Sequence, residues 1–390
     1  MRSEYAPSSS PPQAPLPGEA LSPSLDWSKI RRVLLIRLRS IGDTVLMTPC
    51  LAALKSWRPE IHTTVLLEET AAPLLTGHEL VDCLMLSPET FTGKMGLVRQ
   101  LRRKRFDISI NLHGGTTATF LAALSGARFT LGYAGHRYSS LLNRRAPSPD
   151  LILGKKSIHS VEQQLALLKW AGVPWPADAG LNLPVSEQAS ASVAGRLAIE
   201  EHGFGNDASS YAIISPAGSD SSKRWPASSF GLVAEHLYDF WRLKSLVIAG
   251  RGEEDIAQEV ASLSGGAAHA IFNLSLPELA ALISKANLFI GNDSGPMHIA
   301  AAFGRPMVAI FGSSNRDVWS PWSTGPSRVL SPGKVGGGSS ESAGESAHAN
   351  RAVSTEPSGP ESFPIGRISA SEAMKAVDEV IEEALCSAHD

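Results

Sequence analysis

Four stretches of this chain leave an apolar run, cross glycine, hydroxyl and charged residues, and enter a helix, which aims free helix N–H groups at an anion. The richest is Ile290-Gly291-Asn292-Asp293-Ser294-Gly295-Pro296-Met297-His298. Ser294 and Gly295 let backbone come close to a phosphate, Pro296 suits a first helical turn, and Asp293 stands where a carboxylate could hold ribose hydroxyls. His298 lies on the helix itself, where a packed structural histidine and a diphosphate contact both fit. Asp and Ser are also favoured helix caps, so the segment alone fits a cap as well as a ligand site.

The second stretch, Ile36-Arg37-Leu38-Arg39-Ser40-Ile41-Gly42-Asp43-Thr44, places a carboxylate at a helix start. Asp43 could take a proton from an attacking hydroxyl, or serve as a capping Asp; Gly42 before it would let a substrate approach. In the third, Ser215 to Pro226, Gly218 and Ser219 offer phosphate-binding donors and Lys223 a mobile positive charge for a leaving diphosphate. Trp225 in the same loop reads as packing that anchors it to a sheet. The fourth, Gly250-Arg251-Gly252-Glu253-Glu254, lacks the full dinucleotide fingerprint, but Glu253 could hydrogen-bond ribose. Gly132 to Tyr138 reads as a loop whose His136 and Arg137 suit an acidic or phosphorylated sugar acceptor, or as an ordinary surface loop. His113, beside Gly114 and Gly115 at the end of an apolar strand, is a further cleft candidate, and Arg102 to Arg105 read as a solvated helix end.

The elements that must position these residues alternate. Strands at Val33–Leu38, Thr63–Leu67, Cys83–Leu86 and Asp107–Leu112 are separated by helices at Thr44–Trp57, about Gly96–Arg105 and Thr117–Leu124, a βαβ rhythm that implies a parallel sheet. Pro49 implies a kink or irregular first turn in the first of these helices. After a helix at Ser160–Trp170, Pro174, Pro176 and Pro184 mark a linker. A second alternation has strands at Tyr211–Ser215, Ser245–Ala249, Asn287–Ile290 and Met307–Phe311. The organisation expected is a disordered leader over 1–28, a first α/β domain over 29–175, a linker over 176–190 and a second α/β domain over 191–330. A low-complexity loop over 331–360 and a helical segment over 361–390 follow, its helix at Ser369–Leu385 closing the structure across the linker.

With 390 residues the chain can build two cores, and two facing α/β domains suit a bisubstrate enzyme. The near balance of 35 Lys and Arg against 38 Asp and Glu gives no overall pull toward nucleic acid. Cys50, Cys83 and Cys386 have no paired spacing, so neither a disulfide framework nor a zinc site is suggested, which fits a reducing cytoplasm. The Pro/Ser-rich start lacks the apolar run of a signal peptide, and no stretch is long and apolar enough to span a bilayer. A soluble protein, or one resting on a membrane surface, is expected.

Taken together, the Ile41-Gly42-Asp43 opening, Gly132-Tyr133 with Arg137-Tyr138 and Leu142-Asn143, Lys223-Arg224-Trp225-Pro226 and Gly291 to His298 resemble the bacterial heptosyltransferases of glycosyltransferase family 9. The likeness runs from about Arg32 to Trp322. It implies a GT-B-type fold of two Rossmann-like doubly wound domains facing a cleft, with ADP-heptose on the C-terminal domain and a lipid-linked lipopolysaccharide-core acceptor on the N-terminal one. Carried over by position, Asp43 looks like the catalytic base, Lys223 the donor-phosphate lysine, Gly218 and Ser219 the phosphate loop, and Glu253 and Asp293 the ribose contacts. Ser294, Gly295 and His298 look like the diphosphate cradle, and the implied reaction is inverting, with no metal and no other cofactor. His113, His136 and Arg137 are the acceptor-side candidates, and a lipid acceptor implies transient contact with the inner membrane surface through basic N-domain residues. The chain departs from the family in lacking a cysteine-containing segment before its last helix and in carrying the Pro/Ser leader.

The alternatives are another nucleotide-sugar glycosyltransferase or an epimerase of the same fold, and a catalytically silent sugar-nucleotide-binding protein. A base on the domain opposite the donor argues for an acceptor hydroxyl and against an epimerase, and retention of Asp43 and Lys223 argues against a silent binder. Nucleic-acid binding is disfavoured because the basic residues are scattered and few aromatics are interleaved with them.

Overall fold

Short apolar runs such as Val33-Leu34-Leu35-Ile36 become strands buried on both faces, the environment of a parallel sheet. The computed structural model describes residues 25–199, 210–218, 220–332 and 364–387. The first sheet contains β1 (Arg32–Ile36), β2 (His62–Glu68), β3 (Cys83–Ser87), β4 (Ile108–Asn111), β5 (Phe129–Tyr133) and β6 (Arg144–Ala146). The second contains β7 (Tyr211–Ser215), β8 (Lys244–Ile248), β9 (Ala268–Ile271), β10 (Leu288–Asn292), β11 (Met307–Ile310) and β12 (Ser327–Leu330). Their orders, β3-β2-β1-β4-β5-β6 and β12-β11-β10-β7-β8-β9, are the same doubly wound pattern read from opposite edges, and every pairing is parallel. The expected fold class is the one observed.

In this pattern the winding reverses between two central strands, and a crevice opens beyond their carboxyl ends. Here those strands are β1 with β4 and β7 with β10. The segments after Ile36, Asn111, Ser215 and Asn292 therefore lie at the two crevices. A continuous apolar cluster joins the inner layers, taking Leu35, Val45 and Leu46 from one half and Phe289, Met297 and Ile299 from the other. A second cluster lies behind the second sheet, and a third lies under helices Phe91–Lys104 and Thr116–Leu124 on the outer face of the first.

Several elements differ from expectation. The helix expected over Thr44–Trp57 is two, Ile41–Leu46 and Thr48–Trp57, parted at Met47 with Pro49 in the first turn of the second. The basic helix starts at Phe91, because Thr90 caps it by accepting from the Gly93 amide at 3.2 Å. Gly132 and Tyr133 belong to β5 rather than to a loop, and β6, β9 and β12 were unforeseen because they are short and their burial pattern is weak. The last helix, Ala370–Ser387, does not close across the linker. Its stripe of Ala373, Val377 and Val380 packs on helix Ala227–Trp241, β11 and β12, and Asp378 accepts from Trp241 Nε1 at 2.7 Å. Residues 171–186 hold no helix or strand. Nearly all of the expected leader and of the 331–360 tract lies outside the described residues.

Candidate active site

The carboxyl ends of the two sheets face a shared cavity of about 570 Å³. Its first wall is the start of helix Ile41–Leu46, where Ser40 and Asp43 cap each other: the Asp43 amide donates to Ser40 Oγ at 3.5 Å and the Ser40 amide to Asp43 Oδ2 at 3.2 Å. Arg37, 7 % exposed, pairs with Asp43 Oδ1 and donates from Nη1 to the Leu112 carbonyl at 2.6 Å. Asp43 is therefore both a helix cap and part of the cavity wall, held by one oxygen to a buried cation. The signal for Arg37 was a cation ending the apolar run of β1, six residues before the carboxylate it meets.

Beside Arg37 stand His113 and His136. Burial first, and the Arg37 charge second, push both imidazoles down to about 4, so they are neutral near pH 7. Asn111 Oδ1 accepts from the His113 and Gly114 amides at 3.1 and 3.0 Å, winding the exit of β4 into a tight turn. Gly114 sits there at φ +77°, and an added Cβ would lie 2.7 Å from His136 Nε2. Neither His113 nor His136 lines the cavity, and Nδ1 of each is buried without a partner. Arg137 is not part of this group; its guanidinium lies 5.3 Å from the ring centre of exposed Tyr138.

The opposite wall carries the donor-side candidates Gly218, Lys223, Glu253, Asp293, Ser294, Gly295 and His298. Ser219 lies outside the described residues. The expected mobile charge of Lys223 is tethered, with Nζ 3.2 Å from Oδ2 of buried Asp293. The loop before it is wound into a turn because Asp220 Oδ1 accepts from the Ser222 amide at 2.8 Å. Neighbouring Arg224 donates from Nε to the Gly218 carbonyl at 2.8 Å and pairs with Glu253 at 3.5 Å, a role its sequence neighbours do not signal. Buried Asn292 fastens the crevice between β7 and β10, donating to the Pro216 carbonyl at 2.7 Å and accepting from the Trp225 amide at 3.2 Å. Trp225 is fully buried edge-on to Phe230, the packing role expected of it, and donates from Nε1 to the Ile368 carbonyl at 2.9 Å.

Ser294 caps helix Gly295–Ala302 without a hydrogen bond from its own side chain to the helix, and its hydroxyl is buried without a partner. His298 is buried one turn later. Burial holds it well below its ordinary range, while the Asp293 and Asp43 carboxylates on either wall pull it part of the way back. The two helix starts touch through glycine. A Cβ on Gly42 would lie 2.5 Å from His298 Cδ2, and one on Gly295 would lie 2.7 Å from Ile41 Cγ2. On the side a Cβ would fill, these glycines therefore admit the facing helix, and both also line the cavity, where the sequence suggested room for substrate and phosphate. Ile248, Leu274, Leu276 and Leu279 form an apolar end to the cavity, and Trp319 also lines it. Those leucines carry no glycine or charge signature, so they were missed.

A second contact joins the halves. His159 Nδ1 accepts from the Val161 amide, which leaves Nε2 to donate to the Ser320 carbonyl at 2.9 Å, and the ring stacks on Trp322. Among the described residues no group of three or more His, Cys, Asp or Glu is placed to hold a metal ion.

Two doubly wound domains meeting at their crevices form a GT-B-type architecture. The chain belongs to glycosyltransferase family 9 (heptosyltransferase), whose profile matches residues 95–334. It is 27 % identical over 305 residues to lipopolysaccharide heptosyltransferase 3 of Escherichia coli, covering 73 % of this chain and 85 % of that one. It is 24 % identical over 292 residues to the lipopolysaccharide core heptosyltransferase OpsX of Haemophilus influenzae, covering 72 % and 79 %. In structure it resembles a family 9 glycosyl transferase from Veillonella parvula, with a TM-score of 0.76 at 23 % identity over 93 % of this chain and 99 % of that one. It also resembles Escherichia coli heptosyltransferase WaaC with ADP, with a TM-score of 0.65 at 19 % identity over 91 % and 99 %.

Proposed function

We propose that this chain transfers a heptose from ADP-heptose to a lipid-linked acceptor of the lipopolysaccharide inner core, with inversion, without a metal, and at the inner face of the cytoplasmic membrane. The observation that carries the reading is one cavity receiving Asp43 from the first sheet's crevice and Lys223, Asp293 and a helix start from the second's. The names of the relatives support the donor and acceptor classes.

The apolar end at Leu274, Leu276 and Leu279 suits a purine, and Glu253, at the exit of β8, suits ribose hydroxyls. The diphosphate then lies at the Gly295 helix start, where backbone N–H groups and the unpartnered Ser294 hydroxyl face it. Lys223 exchanges Asp293 for the phosphate oxygens. Asp43, oriented by Arg37 and the Ser40 amide, takes the acceptor hydroxyl proton as that oxygen bonds to the anomeric carbon. The bond from that carbon to the diphosphate breaks, and ADP departs with its charge offset by Lys223 and the helix start.

Calorimetry with ADP, UDP and GDP, with and without EDTA, tests the donor: ADP should bind best and unchanged by EDTA, and preference for UDP or GDP would overturn it. Asp43→Ala should abolish transfer with donor affinity nearly intact, whereas Lys223→Ala should lower both. Loss of ADP binding in the first variant, or wild-type behaviour in the second, would remove that residue from its role.

A further inference from the structure

The near neutrality of the whole chain hides a division of charge. Residues 29–175 carry 20 Lys and Arg against 10 Asp and Glu, while the rest carries 15 against 28. The excess is concentrated between 86 and 146, where ten cations meet only Glu89 and Asp107. On this stretch helices Phe91–Lys104 and Thr116–Leu124 lie side by side on the outer face of the first sheet. Arg102 Nε bridges them by donating to the Leu124 carbonyl at 3.0 Å.

Their outward stripes combine two chemistries. On the first helix, Phe91 and Met95 are followed one and two turns on by Arg99, Arg102 and Arg103, all exposed, Phe91 to 78 %. On the second, Phe120 and Leu124 project four residues apart, and the Phe120 ring stands 5.5 Å from that of Tyr138, with Leu141 exposed beyond it. Exposed aromatic and aliphatic side chains rimmed by arginine suit an interface whose outer layer is anionic and whose inner layer is apolar. Among the described residues none covers these side chains, and no described helix is long and apolar enough to cross a membrane.

We infer that this face docks on an anionic phospholipid bilayer, with Phe91, Met95 and Phe120 entering the headgroup layer and Arg99, Arg103 and Arg137 meeting lipid phosphates. It rests on the lipid-linked acceptor proposed above and names the surface that brings the enzyme to it. Docking by this face would lay the outer face of the first domain on the leaflet, leaving the acidic remainder in water.

The test is co-sedimentation of the full chain with phosphatidylcholine vesicles with and without phosphatidylglycerol, at low and high salt. Binding should require phosphatidylglycerol and weaken with salt. Arg99→Gln with Arg103→Gln should reduce partitioning roughly 30-fold, about fivefold per charge removed. Phe91→Ser with Met95→Ser should also reduce it and should act on binding that survives added salt. Both double variants should bind ADP as the wild type does, which shows that they fold. Equal binding to neutral vesicles, no binding to either, or undiminished binding by both variants would overturn the inference. So would capture only by vesicles bearing the core glycolipid, which would assign recognition to the acceptor. Failure of the wild type to bind ADP would instead overturn the donor reading, leaving the vesicle result to stand.

Discussion

Adding one methyl group at Gly42 and one at Gly295 tests whether the two halves are held by glycine-mediated contact of their helix starts. A Cβ on Gly42 would lie 2.5 Å from His298 Cδ2 and one on Gly295 2.7 Å from Ile41 Cγ2, whereas ordinary contact begins at 3.4 Å. Each alanine thus demands about 0.9 Å or 0.7 Å of extra separation. Neither neighbour is a flexible chain end: His298 is a buried ring, and Ile41 is β-branched and partly buried. Overpacking of this kind costs about 1–3 kcal/mol, from which alanine's better helix propensity recovers at most about 1 kcal/mol. Each single variant should lose about 1–2 kcal/mol of stability and weaken ADP binding, because His298 and Gly295 line the cavity.

The double variant is the sharper test. Both methyl groups push the same two helices apart, so the second should cost little once the first has opened the gap. Urea unfolding of the four proteins should show a double-variant loss close to that of the worse single, a coupling of about 1 kcal/mol or more. Strict additivity would mean that each clash is relieved locally, and unchanged stability and ADP affinity in both singles would refute the contact as a determinant of the assembled site.

Asn292→Ala should lower stability by about 2–4 kcal/mol, because the Pro216 carbonyl and the Trp225 amide each lose a buried partner. Chemical denaturation measures this, and a loss under about 0.5 kcal/mol would mean that both groups find other partners. The depressed folded-state values of His113 and His136, about 4 against an ordinary 6.5, set the sign of a pH effect. Between those values the unfolded chain binds protons that the folded chain refuses, so stability should be full above pH 6.5 and fall toward pH 4. The slope should reach up to about 1.4 kcal/mol per pH unit for each ring. His113→Gln with His136→Gln should reduce the slope of the urea-midpoint profile over that window, leaving the share carried by other buried imidazoles such as His298, and an unaltered slope would place the acid sensitivity elsewhere.

The alternation of apolar runs with amphipathic segments determined the α/β class, because strands buried on both faces must be continuously apolar and so announce themselves locally. The glycine, hydroxyl and charged residues at strand exits were legible for a similar reason: in a doubly wound sheet those exits share one edge, so short-range pattern specifies long-range position. Trp225 was readable as an anchor from its size among small polar neighbours. What local pattern does not encode is which exit meets which. Tertiary structure paired Arg37 with Asp43 and Lys223 with Asp293, and separated His136 from Arg137, its neighbour in sequence. It set a facing helix against the side of Gly42 and of Gly295 that a Cβ would fill, while both still line the cavity. It also sent the last helix to the second sheet, since an apolar stripe such as Ala373, Val377 and Val380 specifies only that it must be covered. The edge on which chemistry gathers follows from local burial and turn chemistry, whereas the contacts within it depend on how two separate cores dock.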